Sequence, residues 1–323
     1  MPCGCPARPT SLVGLAQLKA WYRNKPYNSS VRTVVVKGRF GMGGRLAVLL
    51  SAWRYAIDTE RELVVDWNDS AYWRPSEPDV FASLLTFPRA KPLNVANLEG
   101  ARIFPSVWQD RLGRYRNGDV VMPYELSHFP PPYDVKAAED ADVVVINRNG
   151  PLETIRPWYP QLRPSEEIAR RVEEFAVQAD IPNRVGVQIR HGNGERLVQP
   201  PETDWFHKRL THTDRVFLAT DSPDLFREFA ARFDTVQTEK WWPPPGSGSL
   251  HQHESCPDRF QNAVEALVDL FLLARVRRLI FSGGFFGMGA RYIAASTATP
   301  ERYPKRIHPT FEEKVADRWQ NPI

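Results

Sequence analysis

Between Val31 and Lys37 the chain reads VRTVVVK, a β-branched run, and from Arg45 to Thr59 apolar residues recur at helical spacing. A second short apolar run, Leu63 to Trp67, follows. This order predicts a βαβ unit whose first turn, Gly38-Arg39-Phe40-Gly41-Met42-Gly43-Gly44, is rich in glycine. Ala141 to Ile146 (ADVVVI) predicts another buried strand, whereas Asn68 to Glu139 is dense in proline and aromatics and yields no clear element. Three prolines in RPWYPQLRPS, Arg156 to Ser165, disfavour regular structure, and an amphipathic helix is predicted from Ser165 to Gln178. The second half alternates more cleanly. Strands are predicted at Val185 to Ile189, Val216 to Ala219, Thr235 to Thr238 and Arg278 to Phe281, with helices at Pro223 to Phe233, Phe260 to Arg275 and from about Gly289.

Strands alternating with helices imply parallel sheets covered on both faces. The expected architecture is α/β: two Rossmann-like domains whose parallel sheets face each other across a cleft, with ligands at the carboxyl ends of the strands. A chain of 323 residues exceeds the ~100–200 usual for one domain, which agrees with that count. The expected division is a partly frayed extension over 1–30, a Rossmann-like domain over 31–160 and a second Rossmann-like domain over 161–300. A tail over 301–323 is expected to pack back on both. The longest greasy run, Ala266 to Ala274, is interrupted by Asp269 and falls far short of the ~20 apolar residues of a membrane-spanning helix. The segment MPCGCPARPTSLVG lacks the basic start and apolar stretch of a secretory signal, so a cytoplasmic location is expected. Cys3, Cys5 and Cys256 cannot all pair with one another, which fits a reduced protein. His251 and His253 lie near Cys256, but no second spaced Cys pair accompanies them, and no zinc site is expected. The net charge of +4 is spread among 38 acidic residues and no aromatic and basic stripe crosses a strand, so a nucleic-acid partner is not expected. A few arginines aimed at a small anion account for the excess.

Chemistry concentrates where strands end. In VGVQIRHGNGE, Val185 to Glu195, a buried strand runs into Arg190, His191, Asn193 and Glu195, and an arginine there can give a phosphate two parallel charge-assisted bonds. The plainer reading is a solvated strand end with a turn rich in Gly and Asn. In Ala219-Thr220-Asp221-Ser222-Pro223, Ser222 reads as a helix N-cap; Asp221 either holds a sugar hydroxyl or helps the cap. The strand Leu279 to Phe281 opens into Ser282-Gly283-Gly284-Phe285-Phe286-Gly287-Met288-Gly289 and then Arg291. Glycines there let amides approach a diphosphate, and a helix N-terminus adds its dipole. The spacing is neither a Walker A loop nor a nicotinamide fingerprint, which disfavours a dehydrogenase. Asp269 lies among apolar residues and needs a partner: a nearby basic side chain such as Arg275 or Arg278, or the paired N1 and N2 donors of guanine.

The segments VGVQIRHGNGE, VFLATDSP and ALVDLFLLARVRRLIFSGGFFGMGARY resemble, in order and approximate spacing, the three motifs of the α1,6-fucosyltransferase superfamily. RHGNGE is particularly similar to the bacterial nodulation fucosyltransferases, and GRFGMGGRLAVLLSAWRYAIDTERELVVDW resembles that family's first βαβ unit. The resemblance spans roughly Val31 to Ala295. It implies a metal-independent, inverting GT-B enzyme that takes GDP-fucose as donor and a glycan or small molecule as acceptor, with no further cofactor. It places Arg190 on the β-phosphate, Asp269 on guanine, and the loop Ser282 to Gly289 on the phosphates. Gln188 stands where relatives carry the histidine of His-x-Arg, and the last loop is richer in Gly and Phe than usual. The site expected on these grounds comprises Arg190, Glu195 and His191 for catalysis, with Glu195 or His191 as base. Arg190, Gln188, Asn193, Asp221, Asp269, Ser282, Gly287, Gly289 and Arg291 are expected to bind the donor. Two alternatives stay open: the same fold using another nucleotide sugar on a natural-product acceptor, and a non-catalytic nucleotide- or glycan-binding module.

Overall fold

The computed structural model describes residues 32–38, 41–68, 72, 76, 79–94, 98–112, 141–147, 149–150, 152–195, 198–250, 253–294 and 300–305. Cys3, Cys5, His251, Arg39 and Phe40 lie outside them, as do both termini and the stretch 113–140. Residues 32–323 form one compact unit.

The first half contains β1 (Thr33–Lys37), α1 (Met42–Asp58), β2 (Glu62–Asp66), α2 (Val80–Leu84), β3 (Leu85–Thr86), β4 (Lys91–Pro92), β5 (Ile103–Phe104) and β6 (Val143–Ile146). After α3 (Leu152–Ile155), a 3₁₀ helix over Arg156–Gln161 and β7 (Arg163–Pro164) comes α4 (Glu166–Gln178). The second half holds β8 (Val185–Ile189), α5 (Thr203–His207), β9 (Arg215–Thr220), α6 (Pro223–Ala230), β10 (Asp234–Val236), α7 (Arg259–Leu273), β11 (Arg278–Phe281), α8 (Gly284–Ile293) and β12 (Glu301–Arg302).

One sheet has the order β4-β2-β1-β6-β5 and another β10-β9-β8-β11-β12; every pairing within them is parallel. In each, the chain leaves the central strand to one side and returns on the other. The switch point lies between β1 and β6 in the first sheet and between β8 and β11 in the second, where open α/β sheets bind ligands. β3 and β7 form a small antiparallel ribbon. The second sheet runs two residues past the expected end at 300, through β12.

The period of two sorts each strand between layers. Val35, Val143 and Val145 point to an outer cluster with Ile103 and Trp108, and Val185, Val187, Ile189 and Ile280 to another with Phe206 and Phe229. Val34, Val36, Val144 and Ile146 of the first sheet and Phe217, Ala219, Leu279 and Phe281 of the second share a single cluster with α1, α4, α7 and α8. Gln188 and Gly186 alternate with the outer set, so both face α7 and α8. A Cβ on Gly186 would sit 2.8 Å from Val276 Cγ2. Where α1 meets α8 the backbones nearly touch: a Cβ on Gly43 would lie 2.5 Å from the Phe286 nitrogen. Among the described residues no helix is long and apolar enough to cross a membrane.

Candidate active site

β8 and β11 end side by side, and the polar residues beyond them form one network. Arg190 is ion-paired by Nη1 to Asp221 and by Nη2 to Glu195, and its side chain keeps 20% exposure. The two carboxylates hold the guanidinium firmly in its charged form despite burial. Asp221 also accepts the amide of His191 at 2.6 Å and that of Gly192 at 2.8 Å, so it clamps the turn that carries Arg190. It takes no part in capping the helix that follows. The cap belongs to Ser222 alone, which accepts Leu225 N–H at 3.4 Å. His191 Nδ1 is buried and has no hydrogen-bond partner among the described residues.

Four of the expected donor-binding residues have hydrogen-bond partners within the chain. Asn193, buried with φ +43°, donates through Nδ2 to the carbonyls of Pro244 (3.1 Å) and Gly248 (2.9 Å) and accepts Gly246 N–H on Oδ1 at 3.1 Å. It ties the Trp/Pro loop after β10 onto the Arg190 turn. Gln188 is buried under α8, where its Oε1 receives the Ser282 hydroxyl at 3.5 Å. Ser282 in turn accepts Arg190 N–H at 2.9 Å, fixing the arginine's backbone. Asp269, 6% exposed, accepts Thr238 Oγ1–H at 2.6 Å on Oδ1 and the Lys240 ammonium on Oδ2. The basic partner is therefore Lys240, not Arg275 or Arg278, which pair with Glu173 and Glu301.

The last glycine-rich segment is helix, not loop, from Gly284 onward. Gly287 and Gly289 are packing positions inside α8: a Cβ on Gly287 would stand 2.5 Å from the Phe281 ring, and one on Gly289 3.3 Å from Tyr159. Arg291 is carried to the far end of α8, roughly 11 Å from its start at 1.5 Å per residue, and so leaves the strand edge. What remains there is the N-terminus itself. Gly283 adopts φ +96°, a conformation glycine tolerates, and among the described residues no side chain caps the helix, which leaves its first amides available to an anion.

Three residues were missed from the sequence. Thr238 and Lys240 follow β10 at the same strand edge that drew attention to Arg190. Arg302, at the end of β12, brings its Nε within 3.3 Å of where a Gly283 Cβ would be. A two-residue edge strand offers no period to announce it. Cys256 is a free thiol beside Asn262, and no cluster of three His, Cys, Asp or Glu side chains arranged for a metal occurs among the described residues.

Two parallel sheets with ligand chemistry gathered at the switch point of the second define a GT-B-like fold. The crystal structure of NodZ α-1,6-fucosyltransferase soaked with GDP-fucose has it too, with a TM-score of 0.57 and 20% identity over 82% of this chain and 93% of that one. POFUT1 in complex with GDP matches with a TM-score of 0.54 and 10% identity over 86% of this chain and 100% of that one. Within this class the chain resembles nodulation protein Z. Residues 30–106 match the family model of Nodulation protein Z (NodZ). Nodulation protein Z of Azorhizobium caulinodans is 26% identical over 293 residues, 79% of this chain and 87% of that protein.

Proposed function

We propose that the protein is an inverting glycosyltransferase that moves fucose from GDP-fucose to a hydroxyl of a glycan or small-molecule acceptor. The donor binds at the carboxyl edge of the second sheet, within 161–300, and the acceptor at that of the first, within 31–160. The observation that carries this reading is Arg190, a half-enclosed guanidinium held at the switch point beside the uncapped N-terminus of α8. A pyrophosphate leaving group gathers negative charge as its bond to the anomeric carbon breaks. A guanidinium and preorganised helix amides meet that charge in the transition state, with Arg302 close by. This assigns the counter-charge to the chain rather than to a divalent ion. GDP-fucose in the NodZ structure and GDP in the POFUT1 structure support the donor.

The acceptor hydroxyl attacks the anomeric carbon from the side opposite the pyrophosphate, so one displacement inverts the centre, and its proton passes to a base. Glu195 is that base in our reading. Its carboxylate pairs with Arg190 in the turn that ends β8, at the strand edge where the donor's anomeric carbon is placed in this reading. His191 is its neighbour in the same turn and the alternative. Oε1 of Gln188 accepts the Ser282 hydroxyl that fixes the Arg190 backbone, so its replacement of a histidine gives no support to a non-catalytic module. With three cysteines in the whole chain, the protein is assigned to the reducing cytoplasm.

Transfer from GDP-fucose, UDP- and dTDP-sugars to a chitooligosaccharide, with and without EDTA, tests the assignment together with calorimetric titration of GDP. Arg190→Ala should weaken GDP binding ten- to a hundredfold, since charge-assisted bonds contribute about 1.5–3 kcal/mol, and lower kcat as well. Preference for UDP over GDP, loss of turnover in EDTA, or an Arg190→Ala variant with normal GDP affinity and rate would each overturn a part of it.

A further inference from the structure

Asp269 is a carboxylate buried on the flank of α7, and its environment is more specific than a single ion pair requires. An ionised carboxylate has about four lone-pair positions. Thr238 and Lys240 fill one on each oxygen, which leaves one on each oxygen for a pair of parallel donors. The Lys240 side chain is 4% exposed, yet among the described residues its ammonium makes no hydrogen bond besides that to Asp269. Two N–H donors of a buried cation are thus unmet, a costly arrangement unless a ligand takes them. Its position is not slack: the next residue, Trp241, donates its amide to Glu265 at 3.3 Å, one turn before Asp269 on α7, and the Trp242 ring lies 5.7 Å from the ammonium.

We infer that Lys240 reads the nucleotide base jointly with Asp269, donating to O6 of a guanine whose N1–H and N2–H₂ lie on the carboxylate. The inference rests on the GDP-sugar reading above and adds a residue to it. A carboxylate with an ammonium on one of its oxygens presents acceptor, acceptor and donor in a row. The Watson–Crick edge of guanine presents donor, donor and acceptor, and matches at all three places. Uracil sets a carbonyl on each side of its single N–H, so one carbonyl meets the carboxylate. Adenine offers its amine and N1 but only a C–H at the third place. Sites built from buried polar groups reject a partner that leaves those groups unpaired.

The test uses the full chain and three probes: GDP; 6-thio-GDP, which keeps both donors and replaces O6 by the weaker acceptor sulfur; and IDP, which keeps O6 and lacks the 2-amino group. Wild-type protein should bind GDP at least about tenfold more tightly than either analogue. Lys240→Met should bring the GDP to 6-thio-GDP ratio close to one and preserve the GDP to IDP ratio. Asp269→Asn should erode the GDP to IDP ratio. Equal affinity of the wild type for GDP and 6-thio-GDP overturns the role of Lys240 without any variant. So does a Lys240→Met protein that loses both ligands in the same proportion, as a residue serving only to neutralise Asp269 would. In either case measurable GDP binding leaves the donor assignment standing, whereas a wild type that binds no GDP overturns both.

Discussion

Asn193 spends its whole side-chain amide on the backbone of the loop around Pro244, Gly246 and Gly248. Replacing it by alanine leaves two carbonyls and one amide without that partner, a local loss of about 1–3 kcal/mol. Hydrogen exchange at the Gly246 amide should therefore speed up roughly ten- to a hundredfold in Asn193→Ala, read by mass spectrometry on peptides covering 241–249. Unchanged protection there would show that the loop is held by something else. At this scale Arg190 was readable from the sequence, because a charged residue just past a buried strand has one edge of the sheet to occupy. Asn193, Asp221 and Ser282 stand out in the sequence as well, but the hydrogen bonds they make do not. Each is equally a ligand residue or a support until it is known which loop or strand end comes back to meet it, and here Asp221 and Ser282 both come back to the turn that carries Arg190.

Among the elements, α5 and α6 enclose His207 against Phe229, with ring centroids 4.7 Å apart, and Arg232 lies 2.8 Å from its Nδ1. Burial foremost, and then the Arg232 cation, hold the imidazole below its ordinary pKa; Glu228 and Asp204 oppose the shift without reversing it. In the unfolded chain the same histidine takes up a proton near pH ~6.5. Below that pH the unfolded state binds more protons than the folded state, so stability is full above it and falls as the pH drops toward the depressed folded value. The melting temperature of the wild type should fall more between pH 7.5 and 5 than that of His207→Gln, which cannot be protonated. Parallel declines would remove His207 as the cause. The long elements were legible because α4 shows one apolar face, α7 carries a long apolar run, and β1 and β6 are runs of β-branched residues. The start of α8 was not, since its glycines imitate a loop. They occur inside a helix because Phe281, Gln188 and Tyr159 stand where their Cβ atoms would be, a tertiary demand that overrides helix propensity.

The whole molecule is joined by the cluster that its two sheets share, a feature no strand pattern reveals because the pattern shows which face is apolar and not what lies against it. One of its closest backbone contacts is Gly43 of α1 on Phe286 of α8, and α8 begins at the strand edge where Arg190 lies. A methyl group at Gly43 would fall 2.5 Å from the Phe286 nitrogen and 2.7 Å from its Cα. Backbone on both sides leaves no flexible side chain to yield, so α8 must move by several tenths of an ångström at a cost of about 1–3 kcal/mol. The free amides of its first turn then move relative to Arg190. Gly43→Ala, a change in the half assigned to the acceptor, should accordingly raise the GDP dissociation constant several-fold as well as lower the melting temperature. Val145→Ala, which opens a cavity of similar cost in the outer cluster of the same sheet, should lower the melting temperature alone. Calorimetric GDP titration of the two variants at a temperature where both are folded separates the cases. If both shift the dissociation constant, the loss is one of general stability; if neither does, α8 is not the link by which the first sheet bears on the donor site.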